Sequence, residues 1–172
     1  MSEAGEFQII EQFFTYPSFG AWKSQGVGDD CAIIDTGAGR LAVTCDMTAL
    51  GTHFFPDADP EDVGYKALAV NLSDLAAAGA VPRAFFLSIG LPRRDDGWLA
   101  DFSRGLMALA HESGCALLGG DTTRTPEIDG RHAPATISIT AMGDLPAGMG
   151  LTRSGAQPGD DIWVSGTVGD AY

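Results

Sequence analysis

The 172 residues amount to one ordinary domain, or to one domain and the start of a second. A net charge of −13, from 23 acidic and 10 basic residues, excludes a nucleic-acid-binding protein, which needs clustered Lys and Arg for phosphate backbones. Hydrophobic residues make up 45% of the chain, enough for a real core and too many for a disordered one.

Phe7, Ile10, Glu11 and Phe14 recur at helical spacing and predict a short helix over 6–14. Residues 16–28, with Pro17, Gly20, Gly26 and Gly28, read as loop. Strands are predicted over 31–35 and 40–47, joined by a turn at 36–39. In the second strand Leu41, Val43, Cys45 and Met47 alternate with Ala42, Thr44 and Asp46. One face is therefore oily and the other carries a hydroxyl and a carboxylate.

The clearest helix runs from Pro60 to about Ala78. Asp59 is a good N-cap, Pro60 suits the first helical position, Glu61 and Asp62 complement the positive end, and Gly79 supplies the stop. Leu68, Leu72 and Leu75 form a core stripe beside a second stripe of Ala67, Asn71, Asp74 and Ala78. Asp74 falls in the last turn, where the helix dipole disfavours negative charge, so a compensating partner is expected.

A strand follows from Arg83 to Leu91, then an amphipathic helix over 95–113 with Trp98, Phe102, Leu106 and Leu109 inward and Gly114 as its stop. Residues 115–118 read as a short strand running into a turn at 119–124, 125–133 as an exposed loop, 135–142 as a strand and 161–165 as a last strand. The closing Gly-rich stretch 166–172 anticipates a further element. Strands alternating with helices, and at least one hairpin, define an α/β or α+β domain.

Cys31, Cys45 and Cys115 are scattered without a CxxC pair, so neither zinc nor a disulfide framework is expected, and a reducing cytosol is the natural compartment. Residues 1–6 lack the basic, apolar pattern of a signal peptide, and no run reaches the roughly 18 apolar residues of a membrane span. There is no P-loop and no G-x-S-x-G elbow. The G-x-G-x-x-A string at 37–42 precedes a strand, not a helix, and is no Rossmann fingerprint.

What chemistry the chain carries lies in aspartates at element ends. Asp29 and Asp30 follow glycines and precede a strand, Asp46 follows Thr44 and Cys45, Asp74 shares a helix face with Asn71, and Asp121 follows Gly119-Gly120. Each alone also reads as an ordinary turn, strand end or surface helix carboxylate. Together they suit Mg²⁺, which prefers carboxylate and water oxygens and is usually shared with substrate phosphates. His53 is the histidine nearest these motifs; His111 reads as a helix-surface residue and His132 as a loop residue.

The blocks 26–32 (GVGDDCA), 51–54 (GTHF), 59–80, 118–124 (LGGDTTR), 151–160 and 164–171 resemble, in the same order, those of the thiamine-monophosphate kinases of the aminoimidazole-ribonucleotide-synthetase-like superfamily. That resemblance implies an α+β, sandwich-like domain with a mixed sheet, helices on one face and dimerisation through strands. Residues 1–160 would form an N-terminal ATP- and Mg²⁺-binding and dimerisation domain, and 161–172 the start of a C-terminal domain. It implies Mg²⁺ ligation by Asp30, Thr44, Asp46, Asp74 and Asp121, with Cys45 contributing as well. Gly120, Asp121 and Arg153 would bind ATP and His53 the substrate.

Cys45 stands where the family usually has a hydroxyl residue, and the alternation puts its side chain on the oily face, so its backbone carbonyl is the expected ligand. Residues 47–50 depart from the usual pattern, and 125–133 resemble an insertion. The implied activity is phosphorylation of thiamine monophosphate by ATP in a cytoplasmic homodimer, with no nucleic-acid or membrane partner. This chain by itself is expected not to turn over. Another ATP-dependent member of the superfamily, of the selenophosphate-synthetase, purine-synthetase or hydrogenase-maturation kind, is the second reading. A third is a non-catalytic dimerisation module built on 85–91.

Overall fold

Alternation of small and branched residues over 40–49 and 136–145 builds the two long antiparallel strands on which everything else is laid. The computed structural model describes residues 29–164 without a break, with 10, 14, 166 and 167 and the backbone of Ser24 and Gln25. Ile10 and Phe14 are helical; the rest of the helix predicted over 6–14, most of 16–28, and Ser165 lie outside the described residues. In chain order the elements are β1 (Ser24–Gln25), β2 (Ala32–Asp35), β3 (Arg40–Ala49), α1 (Pro60–Ala77), β4 (Val81–Leu91), α2 (Asp96–Ser113), β5 (Ala116–Arg124), β6 (Glu127–Ile128), β7 (Arg131–His132) and β8 (Thr136–Leu145).

Six strands form one sheet in the order β1-β2-β3-β8-β4-β5. All neighbours are antiparallel except β4 and β5, which run parallel with α2 as the crossover between them. The fold is therefore α+β with a mixed sheet. Phe85, Ile89, Ile137, Ile139 and Ala141 from the sheet pack with Leu68 and Leu75 of α1 and Leu106 and Leu109 of α2. Each such fully buried Leu, Ile or Phe contributes about 1.5–3 kcal/mol.

The two helices are stopped and started as their end residues dictate. The Asp59 carboxylate accepts from the Glu61 N–H at 2.9 Å, and Asp95 accepts from the Trp98 N–H at 3.1 Å. Gly114 closes α2 in the left-handed region. The helices cross at two glycines. A Cβ on Gly105 would lie 1.9 Å from the Glu61 carbonyl oxygen, and one on Gly64 2.1 Å from that of Phe102. Backbone meets backbone there because nothing stands between.

Four expectations are corrected. Ser24 and Gln25, read as loop, pair with Ile34 and Ile33 as an edge strand. The turn expected at 119–124 is the second half of a nine-residue strand: pairing with β4 runs from Ala84–Ala116 to Leu91–Arg124, a long-range ladder that overrides the Gly-Gly turn signal. A bulge between Phe85 and Phe86 leaves Leu118 without an opposite number. The loop expected over 125–133 holds a small hairpin, β6–β7, turning at Asp129 and Gly130, both with positive φ. Residues 161–164 form no strand; Ile162 and Trp163 are 96% and 88% exposed, and no strand pairs with them among the described residues.

The faces of β3 matter most for function. Ala42, Thr44 and Thr48 are the buried set, turned toward the helices. The oily set Leu41, Val43, Cys45 and Met47 lies on the far side of the sheet, where Met47 is 59% exposed. The helix-covered face of this strand is thus the polar one.

Candidate functional site

The polar face of β3 meets the C-terminal turn of α1. The Thr44 hydroxyl donates to the Asp74 carboxylate at 2.6 Å, which supplies the partner that a carboxylate at a negative helix end requires. One turn earlier Asn71, fully buried, anchors its amide on the Ala67 carbonyl at 3.0 Å and accepts from the Asp46 N–H at 3.2 Å. Thr44, Asp46, Asn71 and Asp74 are thereby locked strand to helix.

Asp29 and Asp30 join this corner at the entry to β2. The Cys31 thiol donates to the Asp74 carbonyl at 3.3 Å, tying the β2 end to the α1 end. Burial, reinforced by the charges of Asp74, Asp30, Asp29 and Asp46, pushes the Cys31 thiol up to about 12. The Thr44–Asp74, Asp46–Asn71 and Cys31–Asp74 hydrogen bonds are what draw these residues to one corner.

The countercharge is Arg153. Its Nη2 and Nε donate to the two Asp30 oxygens at 2.6 and 3.4 Å, and its backbone N–H reaches Asp29 at 3.2 Å. The guanidinium holds the Asp30 carboxyl below its usual value, and Asp30 in turn raises the arginine. Leu151, two residues before, is fixed by its N–H to the Ala78 carbonyl at 3.0 Å.

Asp30, Thr44, Asp46, Asp74 and Arg153 lie at this corner, and the residues at positions 45, 53, 120 and 121 stand apart. Cys45 projects from the opposite face of β3, where the Thr140 hydroxyl donates to its sulfur at 3.3 Å and Ser138 lies 3.6 Å away. His53 follows β3 in a turn, its Nδ1 accepting from the Ala49 N–H at 3.0 Å, in an open cleft with Lys66 and Asp62.

Asp121 is a correction. It pairs with Ser88, Ser88 with Ser138, and Ser138 with Met47, so Asp121 shares the outer, oily side of the sheet. Three interstrand steps, roughly 14 Å, also separate β5 from β3. Within one chain Asp121 does not join the other aspartates. Neighbouring Gly120 is pressed against β4, where a Cβ would lie 1.7 Å from the Leu87 carbonyl oxygen.

Asn71, which shares a helix face with Asp74 in the sequence, is a member of the corner, and Cys31, which follows two aspartates into a strand, is one that was not assigned a role. The oxygens gathered here are those a hard divalent cation selects, and the negative potential that lifts Cys31 is what such a cation neutralises. Among the described residues no three acidic, histidine or cysteine side chains converge as a ready-made metal cage.

Residues 28–145 match the family described as AIR synthase related protein, N-terminal domain. Thiamine-monophosphate kinase of Salmonella typhimurium (strain LT2) is 44% identical over 169 residues, covering 97% of this chain and 50% of that protein. The crystal structure of thiamine-monophosphate kinase from Stenotrophomonas maltophilia K279a superposes with a TM-score of 0.70 at 46% identity, over 84% of this chain and 44% of the other. AaThiL complexed with AMPPCP and TMP gives 0.69 at 28% identity, over 78% and 41%. The chain spans about half the length of the curated relatives it matches.

Proposed function

Because this chain belongs to the AIR synthase related family, whose N-terminal domain it carries at 28–145, we propose that it is the Mg²⁺- and nucleotide-binding half of a thiamine-monophosphate kinase. The observation that carries the proposal is the corner where Thr44 and Asn71 hold Asp74 and the Asp46 backbone and Arg153 pairs with Asp30. The bound ligands named for AaThiL, AMPPCP and TMP, fit the nucleotide and acceptor that the proposal requires.

In the reaction proposed, an oxygen of the thiamine monophosphate phosphate attacks the γ-phosphorus of ATP. The bond to the β,γ-bridging oxygen breaks, and ADP leaves. The attacking oxygen is already anionic at neutral pH, so no general base is needed, and alignment and charge neutralisation dominate. Asp30, Thr44, Asp46 and Asp74, with the carbonyl of Cys45, would hold Mg²⁺, which would supply much of that neutralisation when bound. Thr44 and Asn71 keep Asp74 and the Asp46 backbone in place without rearrangement. Arg153 exchanges its hold on Asp30 for the nucleotide phosphates, a bidentate donor moving between oxyanions. His53 orients the acceptor.

Gly120 and Asp121 lie on the outer side of the sheet and take no part in the corner. That is the side we assign to a homodimer interface, since Met47 and Phe86 are exposed there and Leu41 and Val43 are only partly covered. Residues 161–172 open the second domain, and unpaired thiols at Cys31, Cys45 and Cys115 suit the cytoplasm.

The test is thiamine diphosphate formation from ATP and thiamine monophosphate by the kinase of full relative length. Asp46→Asn is expected to lower turnover by orders of magnitude, and near-normal turnover in that variant sinks the assignment. The 172-residue chain alone is expected to form no product.

A further inference from the structure

His132 stands between two side chains that make opposite demands on one nitrogen. The register of the small hairpin sets Glu127 of β6 directly opposite His132 of β7, and Arg124 closes β5 just ahead of it. Arg124 Nη2 lies 3.0 Å from His132 Nε2, and Glu127 Oε2 lies 3.5 Å from the same nitrogen. A guanidinium only donates, so the Arg124 contact needs a lone pair on Nε2. A carboxylate only accepts, so the Glu127 contact needs a proton there. One atom cannot meet both at once.

The other ring nitrogen does not settle the choice. With Nε2 accepting from Arg124, a neutral ring carries its proton on Nδ1, and Nδ1 is buried with no hydrogen-bond partner among the described residues. Nδ1 thus offers no competing bond, and the state of Nε2 alone decides the pairing. Arg131 neighbours the ring on β7 and Asp129 stands at the turn, but neither forms an ion pair with it among the described residues. The foot of the hairpin is tied independently. The Thr125 N–H donates to the Leu91 carbonyl at 2.9 Å, its hydroxyl to the Ala133 carbonyl at 2.7 Å, and the Ala133 N–H to the Pro126 carbonyl at 2.9 Å. A change of partner at His132 therefore moves the tip and leaves the base.

We propose that His132 is a proton-operated latch between the β6–β7 hairpin and the end of β5. Neutral, it holds Arg124. Protonated on Nε2 by solvent, which reaches the 28% of its side chain that is exposed, it repels that guanidinium and pairs with Glu127 across its own hairpin. Histidine is the side chain whose charge ordinarily changes between pH 5 and 8, so mild acidification is the input and release of Arg124 the output. The latch uses none of the aspartates and stands whether or not they bind magnesium and nucleotide.

The experiment follows the isotope-labelled 172-residue chain by NMR at about pH 8 and about pH 5, in EDTA so that no divalent ion contributes. Nitrogen-15 shifts of His132 should report Nδ1–H with a bare Nε2 at the higher pH and both nitrogens protonated at the lower. Arg124, held through one Nη, should show two separate Nη signals at the higher pH and one averaged signal at the lower. Arg94, gripped by Asp96 through Nε and Nη2, is the internal control and should keep separate signals at both. His132→Gln offers an acceptor but takes no proton, so Arg124 should stay held throughout, whereas His132→Leu should leave it averaged throughout. Glu127→Gln, at an exposed position, should move the release to lower pH by about half a unit, the scale of an exposed ion pair. An Nε2–H tautomer at the higher pH, Arg124 signals that ignore pH, release in Glu127→Gln at the unaltered pH, or acid release persisting in His132→Gln would each overturn the proposal.

Discussion

Cys31 registers the electrostatics of the aspartate corner and can be read without any ligand. Burial first, then Asp74, Asp30, Asp29 and Asp46, raise its thiol from 9.0 to about 12. The folded protein keeps this proton where the unfolded chain surrenders it. The associated stability is therefore complete below pH 9.0 and is lost as pH rises toward about 12. Cys31→Ala should flatten that alkaline decline in urea melts run across the interval. At neutral pH a maleimide should modify Cys45 and spare buried Cys31 and Cys115, giving one adduct by mass spectrometry.

Asp30 has the opposite sign. Its carboxyl is lowered chiefly by the hydrogen bond from Arg153, so its contribution is present at neutral pH and fades as the medium is acidified past its folded value. Arg153→Leu should return the Asp30 carboxyl toward 3.8 in a carbon-13 NMR titration. An unmoved titration would mean that the arginine does not hold it.

Among the elements, both helices were readable to within a residue or two, because caps and stops are local chemistry: Asp59 with Pro60, Asp95, Gly79 and Gly114 each act on their own turn. The second half of β5 was not, since Gly119-Gly120 signals a turn locally and only the ladder to β4 makes it a strand. Hairpin β6–β7 was too short for any periodicity to register. The glycines carry their own prediction. Gly105→Ala and Gly120→Ala place a methyl against backbone that cannot swing aside, and each should cost about 2 kcal/mol or more in denaturant unfolding. Gly39→Ala, which meets nothing within 4 Å, should be near neutral.

At the level of the molecule, periodicity separated the two faces of β3 correctly but could not say which face the helices cover. Burial is decided by neighbours, and the polar face won because Asn71 and Asp74 of α1 satisfy it. The same blindness gathered Asp121 with the other aspartates: letters in a row carry no information about sides of a sheet. Asp30 and Asp74 could be picked out from their positions beside element ends, whereas Asp46 lies within β3 and Cys31 carried no signal of its own. If the outer side is the homodimer interface, Met47→Asp should shift sedimentation toward the monomer while leaving the far-ultraviolet circular dichroism unchanged. Retention of the dimer would place the contact elsewhere.

Strand β3 is written in two interleaved scripts, and that has a cost for how the chain can vary. Losing or gaining one residue between Arg40 and Ala49 would turn Thr44 and Asp46 outward and drive Leu41 and Met47 against Asp74 in the same step. Length changes within that stretch should therefore survive only in twos, whereas the 36–39 turn just ahead of it is free to lengthen by any count.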